Sequence, residues 1–196
     1  MIDGFQFKYI VGAAQGQIVK RAGELTDLVQ DNNIDTLVFV DRSARPASWI
    51  FESFWSKRIP EIKSPDFVFI NTGKKDLDNL TLDENLKRQI ERELGDDARA
   101  ALSQKTVLMV DDIFHSGKQK EFITAAIKEI YHPKNILYFE WNKLGGMRLP
   151  HGLSYEDDGS FIAVVDEAKE EVVRQIKQEI ARLALTYGDE STILQK

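Results

Sequence analysis

At 196 residues, with 42% hydrophobic and 30% charged residues, the chain has the size and balance of one globular domain able to bury a sizeable core. Its formal net charge of −6 disfavours a general nucleic-acid or membrane-surface role, which needs a basic footprint. The absence of cysteine excludes disulfides, zinc–thiolate centres and thiol nucleophiles, and no apolar run reaches membrane-spanning length.

The opening stretch MIDGFQFKYI has no long apolar h-region, so the expectation is a single cytoplasmic domain over residues 1–196. Ile18, Ala22, Leu25 and Val29 then recur at helical spacing and predict a helix from Gln17 to about Asn32. Asp35 to Asp41 is a continuous apolar run, the mark of a strand covered on both faces. Pro46 suits the first turn of a helix with Ile50, Phe51 and Phe54 in its buried stripe, and Pro60 ends it. Asp66 to Gly73 reads as a second strand. The polar segment Lys74 to Lys105 contains Thr81 and Glu84 at capping-box spacing, and Leu82, Leu86, Ile90 and Leu94 repeat every four residues. A third strand is predicted over Thr106 to Val110, a helix from about Gly117 to Tyr131, a fourth strand over Asn135 to Trp141 and a fifth over Ser160 to Val165. Val172, Ile176, Ile180, Leu183 and Tyr187 form one face of a final helix stopped by Gly188.

Strands alternating with helices imply a parallel α/β sheet. Ligands of such sheets bind beyond the carboxyl ends of the strands. That rule selects Asp41 to Arg45, Gly73 to Lys75, Asp111 to Gln119 and Trp141 to Lys143 as candidate functional segments.

The densest of these is TVLMVDDIFHSGKQKEF, Thr106 to Phe122. Two acids at a strand end also occur on the metal-facing strand of nucleotide triphosphatases, but those need a GxxxxGK[ST] loop. Asp112 occupies the required upstream glycine position here, and GAAQGQ (Gly12 to Gln17) lacks the lysine. A phosphoacceptor receiver domain carries its acidic pair on an early strand, whereas this pair follows the third. Ser116, Gly117, Lys118 and Gln119 open a helix, where unpaired N–H groups and the positive dipole end favour an anion. Asp111 and Asp112 can accept hydrogen bonds from vicinal hydroxyls. Carboxylates for a diol and amides for a phosphate, a few residues apart, describe a site for a ribose 5-phosphate.

VLMVDDIFHSGKQ resembles the signature of the type I phosphoribosyltransferases, and the chain is similar to little-characterised bacterial phosphoribosyltransferase-like proteins. The resemblance implies a central, mainly parallel five-stranded sheet flanked by helices, with a small variable hood. It implies that Asp111 and Asp112 hold the 2′- and 3′-hydroxyls of phosphoribosyl pyrophosphate (PRPP), and that His115, Ser116, Gly117, Lys118 and Gln119 cradle its 5′-phosphate. Gln119 stands where the family usually has threonine; its amide replaces the hydroxyl donor. Arg42 and Arg45, with the N–H groups of Ser43 and Ala44, would meet the pyrophosphate, although this loop lacks the glycine common in the family. Lys74 and Lys75 occupy the place of a basic residue that faces the same group. Residues 74–105 occupy the place of a mobile loop that closes over the site, or of a packed insertion at a contact with a second subunit. Mg²⁺ would arrive through PRPP, with Asp111 and Asp112 as the acids within its reach.

The implied activity is Mg²⁺-dependent transfer of the phosphoribosyl group to a nitrogenous base or base-like small-molecule acceptor. Asp112 and His115 are the catalytic candidates, and Trp141 is placed to stack on a base. The alternative is a non-catalytic PRPP- or nucleotide-binding regulator on the same fold. Trp49 and Trp55 read as core, His132 and His151 as structural or exposed, and a homodimer is compatible with the leucine repeat.

Overall fold

Four short apolar runs cannot be buried unless their backbone N–H and C=O groups pair with one another, and that demand builds the sheet. The computed structural model describes residues 5–10, 13–40, 44–70, 84–95, 97–111, 118–141 and 170–188. Strands β1 (Thr36–Val40), β2 (Asp66–Ile70), β3 (Thr106–Asp111) and β4 (Asn135–Glu140) form an all-parallel sheet in the order β2-β1-β3-β4. The helices are α1 (Ala13–Asp31), α2 (Arg45–Arg58), α3 (Glu84–Leu94), α4 (Asp97–Leu102), α5 (Lys118–Tyr131) and α6 (Glu170–Tyr187). The expected α/β class with a parallel, helix-flanked sheet is therefore observed, with four strands among the described residues. The predicted fifth strand, Ser160 to Val165, lies outside them.

Two compact units divide the chain: Met1–Asp27 with Ser48–Ser64 and Leu144–Lys196, and Leu28–Ala47 with Pro65–Lys143. The second contains the sheet. Asp35 stitches its amino-terminal end: the Asp35 N–H donates to the Thr106 carbonyl (2.9 Å), its Oδ2 accepts from the Thr106 N–H (2.8 Å), and its carbonyl accepts from the Asp66 N–H (3.0 Å). One face of the sheet presents Val38, Val40, Val68, Ile70, Val107 and Met109 to a core completed by Ile90, Ala98 and Leu102 of α3 and α4 and by Ile123, Ala126, Ile127 and Ile130 of α5. Leu37, Phe39, Leu108 and Val110, on the other face, are also fully buried. The helix ends are set by single left-handed residues: Gly95 (φ 71°) after α3, Gln104 (φ 59°) after α4 and His132 (φ 51°) after α5. His132 thus has a structural role, its carbonyl accepting from Gln104 N and Nε2 at 3.2 and 3.1 Å.

In the first unit, Arg58 of α2 bridges to α1, donating to Asp27 (3.0 Å) and to the Gly23 carbonyl (3.4 Å). Lys177 of α6 lies 4.6 Å from the Trp49 ring centre on α2, and Trp55 is buried with its indole N–H donating to the Ile62 carbonyl (3.0 Å). Gly188 ends α6 as the sequence predicts. A Cβ there would fall 2.4 Å from the Ala184 carbonyl oxygen and 2.5 Å from Lys57 Cγ, so no larger residue fits without displacement.

The most directional contact of this unit is made by Glu179, only 3% exposed on α6. Its Oε1 accepts from the N–H groups of Lys8 (2.7 Å) and Tyr9 (3.1 Å), and its Oε2 from Tyr9 (3.1 Å) and Ile10 (2.7 Å). Three consecutive amides around one carboxylate form an anion nest filled by the protein's own side chain. Buried donors left without an acceptor cost about 1–3 kcal/mol each. Glu179→Ala should therefore destabilise the chain by about 2–4 kcal/mol in urea unfolding and speed exchange of the amides of Lys8 to Ile10.

Tyr131, on the last turn of α5, is 2% exposed, and its hydroxyl has no hydrogen-bond partner among the described residues. Burial, reinforced by Glu91 and opposed by Arg99, raises its pKa above the ordinary 10.0. The unfolded chain then releases this proton at lower pH than the folded one, so folding stability declines as pH rises past 10.0 towards the folded value. Tyr131→Phe should gain about 1 kcal/mol at neutral pH by removing an unpaired hydroxyl, and should lose less stability above pH 10.0 in denaturant titrations.

Candidate functional site

Because all four strands run parallel, their carboxyl ends lie at one edge of the sheet. From β1 the chain moves to one side to form β2, then returns to the other side of β1 to form β3. The direction of growth reverses between β1 and β3, and a crevice for ligands opens at such a point, outside the carboxyl ends. Val40 ends β1 and Asp111 ends β3, so the two richest candidate segments leave the sheet at its switch point.

Asp111 is the last residue of β3 and is 2% exposed. Strand alternation puts it on the face of Val107 and Met109, and its carbonyl accepts from the Trp141 N–H at 2.8 Å. A carboxylate in so enclosed a place requires hydrogen bonds or cations to offset its desolvation. Its register partner on β4 is Glu140, half-buried one strand away. Sequence reasoning missed this second acid; the signal was available in FEW, the polar tip of an apolar strand.

Asp112, His115, Ser116 and Gly117 lie outside the described residues. Lys118 and Gln119 are the first two residues of α5, so the expected phosphate-binding run leads directly into a helix amino terminus. Lys120 follows in the first turn, with its ammonium 3.8 Å from the Tyr138 ring centre. The Tyr138 hydroxyl is 2.8 Å from Thr124 Oγ1, which in turn donates to the Lys120 carbonyl (2.5 Å). No sequence pattern singled out these three residues, because the contact joins a helix to a strand through side chains of ordinary type.

Of the expected pyrophosphate ligands, Arg42, Ser43, Lys74 and Lys75 lie outside the described residues. Ala44 is buried, and Arg45 is exposed as the first residue of α2 rather than a loop residue. Trp141 is 7% exposed and packs edge-on against Phe139, their centroids 6.0 Å apart. His151 lies outside the described residues.

Of the segment 74–105, expected either to close over the site or to pack as an insertion, residues 84–95 and 97–105 are described, and they are in good part packed. Ile90, Ala98 and Leu102 are core, Leu94 and Ala101 pack against them, Lys87 of α3 pairs with Glu129 of α5, and Arg99 pairs with Glu91 (3.3 Å). Of the leucine repeat, Ile90 and Leu94 are packed inside the unit itself, and Leu82 lies outside the described residues.

An open groove of about 590 Å³ runs between β2 and α4, lined by Asp66, Phe67, Phe69, Asp97, Ala98 and Lys105 among others. Asp66 and Lys105 place it toward the amino ends of the strands, away from the switch point. Among the described residues no group of three His, Asp or Glu side chains is arranged to hold a metal ion, and no helix is long and apolar enough to cross a membrane.

No protein-family model, curated protein or solved structure matches the chain.

The packing of α3 and α4 has a direct consequence. Their amides from Ile90 to Leu94 and at Ala101 and Leu102 should be protected from hydrogen exchange in the ligand-free protein, at levels approaching those of β3. Exchange of these amides within seconds would contradict their place in the core.

Proposed function

We propose that the protein is a Mg²⁺-dependent phosphoribosyltransferase that moves the phosphoribosyl group of PRPP to a nitrogenous base or base-like acceptor and releases pyrophosphate. The observation that carries this reading is Asp111: an enclosed carboxylate on the last residue of β3, at the switch point, with a helix amino terminus following at Lys118. The segment between them reads DIFHSG, so acid, small hydroxyl residue and glycine sit between strand and helix. In the same reading Ser160 to Val165 supplies the fifth strand of a type I phosphoribosyltransferase sheet, and terminal segments supply its hood.

Asp111 and Asp112 hold the vicinal hydroxyls of the ribose. Ser116, Gly117 and the first amides of α5 receive the 5′-phosphate, where the helix dipole favours negative charge. The acceptor nitrogen attacks C1 as the bond to pyrophosphate breaks, and positive charge develops on the sugar, as in glycoside cleavage. Arg42 and Arg45, with Lys74 or Lys75, stabilise the charge building on the departing oxygens. When bound, Mg²⁺ adds neutralisation of the pyrophosphate. His115 faces the acceptor or the 5′-phosphate; beside a phosphate its protonated form is favoured.

A second reading, a PRPP- or nucleotide-binding regulator without transfer activity, draws on two departures in the same segments. The run Asp41 to Arg45 has no glycine, and Gln119 stands where threonine is usual. Both change donors to phosphate and leave the ribose-binding acids intact.

PRPP with Mg²⁺ should raise the melting temperature. A ligand at ~100 times its dissociation constant adds about 2.7 kcal/mol. Asp111→Asn/Asp112→Asn should keep the circular dichroism spectrum and lose most of that shift, and unchanged PRPP affinity in the double variant would reject the assignment. Pyrophosphate release on addition of nitrogenous bases separates transferase from regulator.

A further inference from the structure

We propose that Tyr138 is a positioning residue for the anion-facing first turn of α5, a role that rests on the phosphoribosyl reading above. The turn contains Lys118 and Lys120, two cations at the end of the helix where the dipole is already positive, offset within the turn by Glu121. That placement opposes helix stability and favours an arriving anion. A lysine side chain ordinarily loses considerable rotamer freedom when it is fixed against a ligand. Here the Tyr138 ring, 3.8 Å from the Lys120 ammonium, already restrains that side chain in the ligand-free protein.

The tyrosine also restrains the backbone of the turn. Thr124 has one hydroxyl proton; with that proton on the Lys120 carbonyl, the Tyr138 hydroxyl donates to Thr124 Oγ1. The chain Tyr138–Thr124–Lys120 thus ties a carbonyl of the first turn to the middle of β4. Tyr138 pairs in register with Met109 of β3, whose sulfur is 3.8 Å from Thr124 Oγ1, so the same point is braced by the strand that ends in Asp111. Through this brace the distance between the ribose-binding strand end and the phosphate-binding helix start is set before ligand arrives. Tyr138 acts through Lys120 and the turn, and its influence is confined to the 5′-phosphate end of the ligand.

The test uses the full chain and three probes titrated by calorimetry: PRPP with Mg²⁺, ribose 5-phosphate, and pyrophosphate with Mg²⁺. Tyr138→Phe, which removes only the hydroxyl, should weaken ribose 5-phosphate binding about threefold, and Tyr138→Leu, which also removes the ring face, about tenfold or more. Both should bind Mg²⁺–pyrophosphate within about twofold of the parent, a split that general destabilisation would not produce. Lys120→Met should match Tyr138→Leu, and the double variant should be no weaker than either alone, because they interrupt one device. Should Tyr138→Leu not fold, Tyr138→Phe and the near-isosteric Thr124→Val apply the same criterion. Unchanged ribose 5-phosphate affinity in the variants, or equal weakening of both probes, overturns the positioning role alone. If the parent protein binds none of the three probes, the phosphoribosyl reading falls and this role falls with it.

Discussion

Everything at the candidate site depends on β1 being hydrogen-bonded in parallel on both sides. A strand in that position has no free edge, and all five residues of β1 are buried. Parallel pairing forbids hairpins, so each connection must leave one end of the sheet and return to the other. The chain then has no choice but to collect its four outgoing corners at one edge. Asp35, whose carboxylate and backbone bind the starts of β2 and β3, holds the opposite edge closed. A polar residue that looks like a simple strand boundary therefore helps set the register that brings the ends of β1 and β3 level.

This explains which parts of the molecule were legible in the sequence. Apolar runs, proline and glycine report local geometry, and they located all four observed strands and the helices α1, α2, α5 and α6 to within a few residues. Pro46 in the first turn of α2 and Gly188 after α6 act where they were expected. The short helix α4 was not visible as a separate element, because six residues are too few for a periodic pattern. Nor was the Glu179 nest, which joins residues 169 to 171 positions apart. A glutamate on an otherwise amphipathic helix gives no hint that it is buried until the segment whose amides it binds is in place. The same holds for Lys120, Thr124 and Tyr138, and for Glu140 beside Asp111: strand pairing, not spacing, brings them together.

At the candidate site, the sequence placed Asp111 at the end of a strand and a helix start a few residues later, and the structure has β3 ending at Asp111 and α5 starting at Lys118. It said less about Arg45, which has the right charge for an anion but sits on the first turn of a helix. A cation in that position gains little from the helix dipole. Three such lysines and arginines, Arg45, Lys118 and Lys120, stand at helix amino termini on the carboxyl side of the sheet, in a chain of net charge −6. Cations at the positive ends of two helices work against the helix dipole and so cost local stability.

The packing of α3 and α4 limits how such an anion could be enclosed. A closing segment must be able to leave the surface it rests on at a cost small compared with the binding energy it recruits. Ile90 and Leu102 are 9% and 0% exposed, and burying an aliphatic side chain of this size contributes about 1.5–3 kcal/mol. Detaching both helices would forfeit several such contributions together with the pairing of Lys87 to Glu129. That exceeds what most ligands supply through conformational selection. Any closure over the carboxyl edge therefore has to spare α3 and α4.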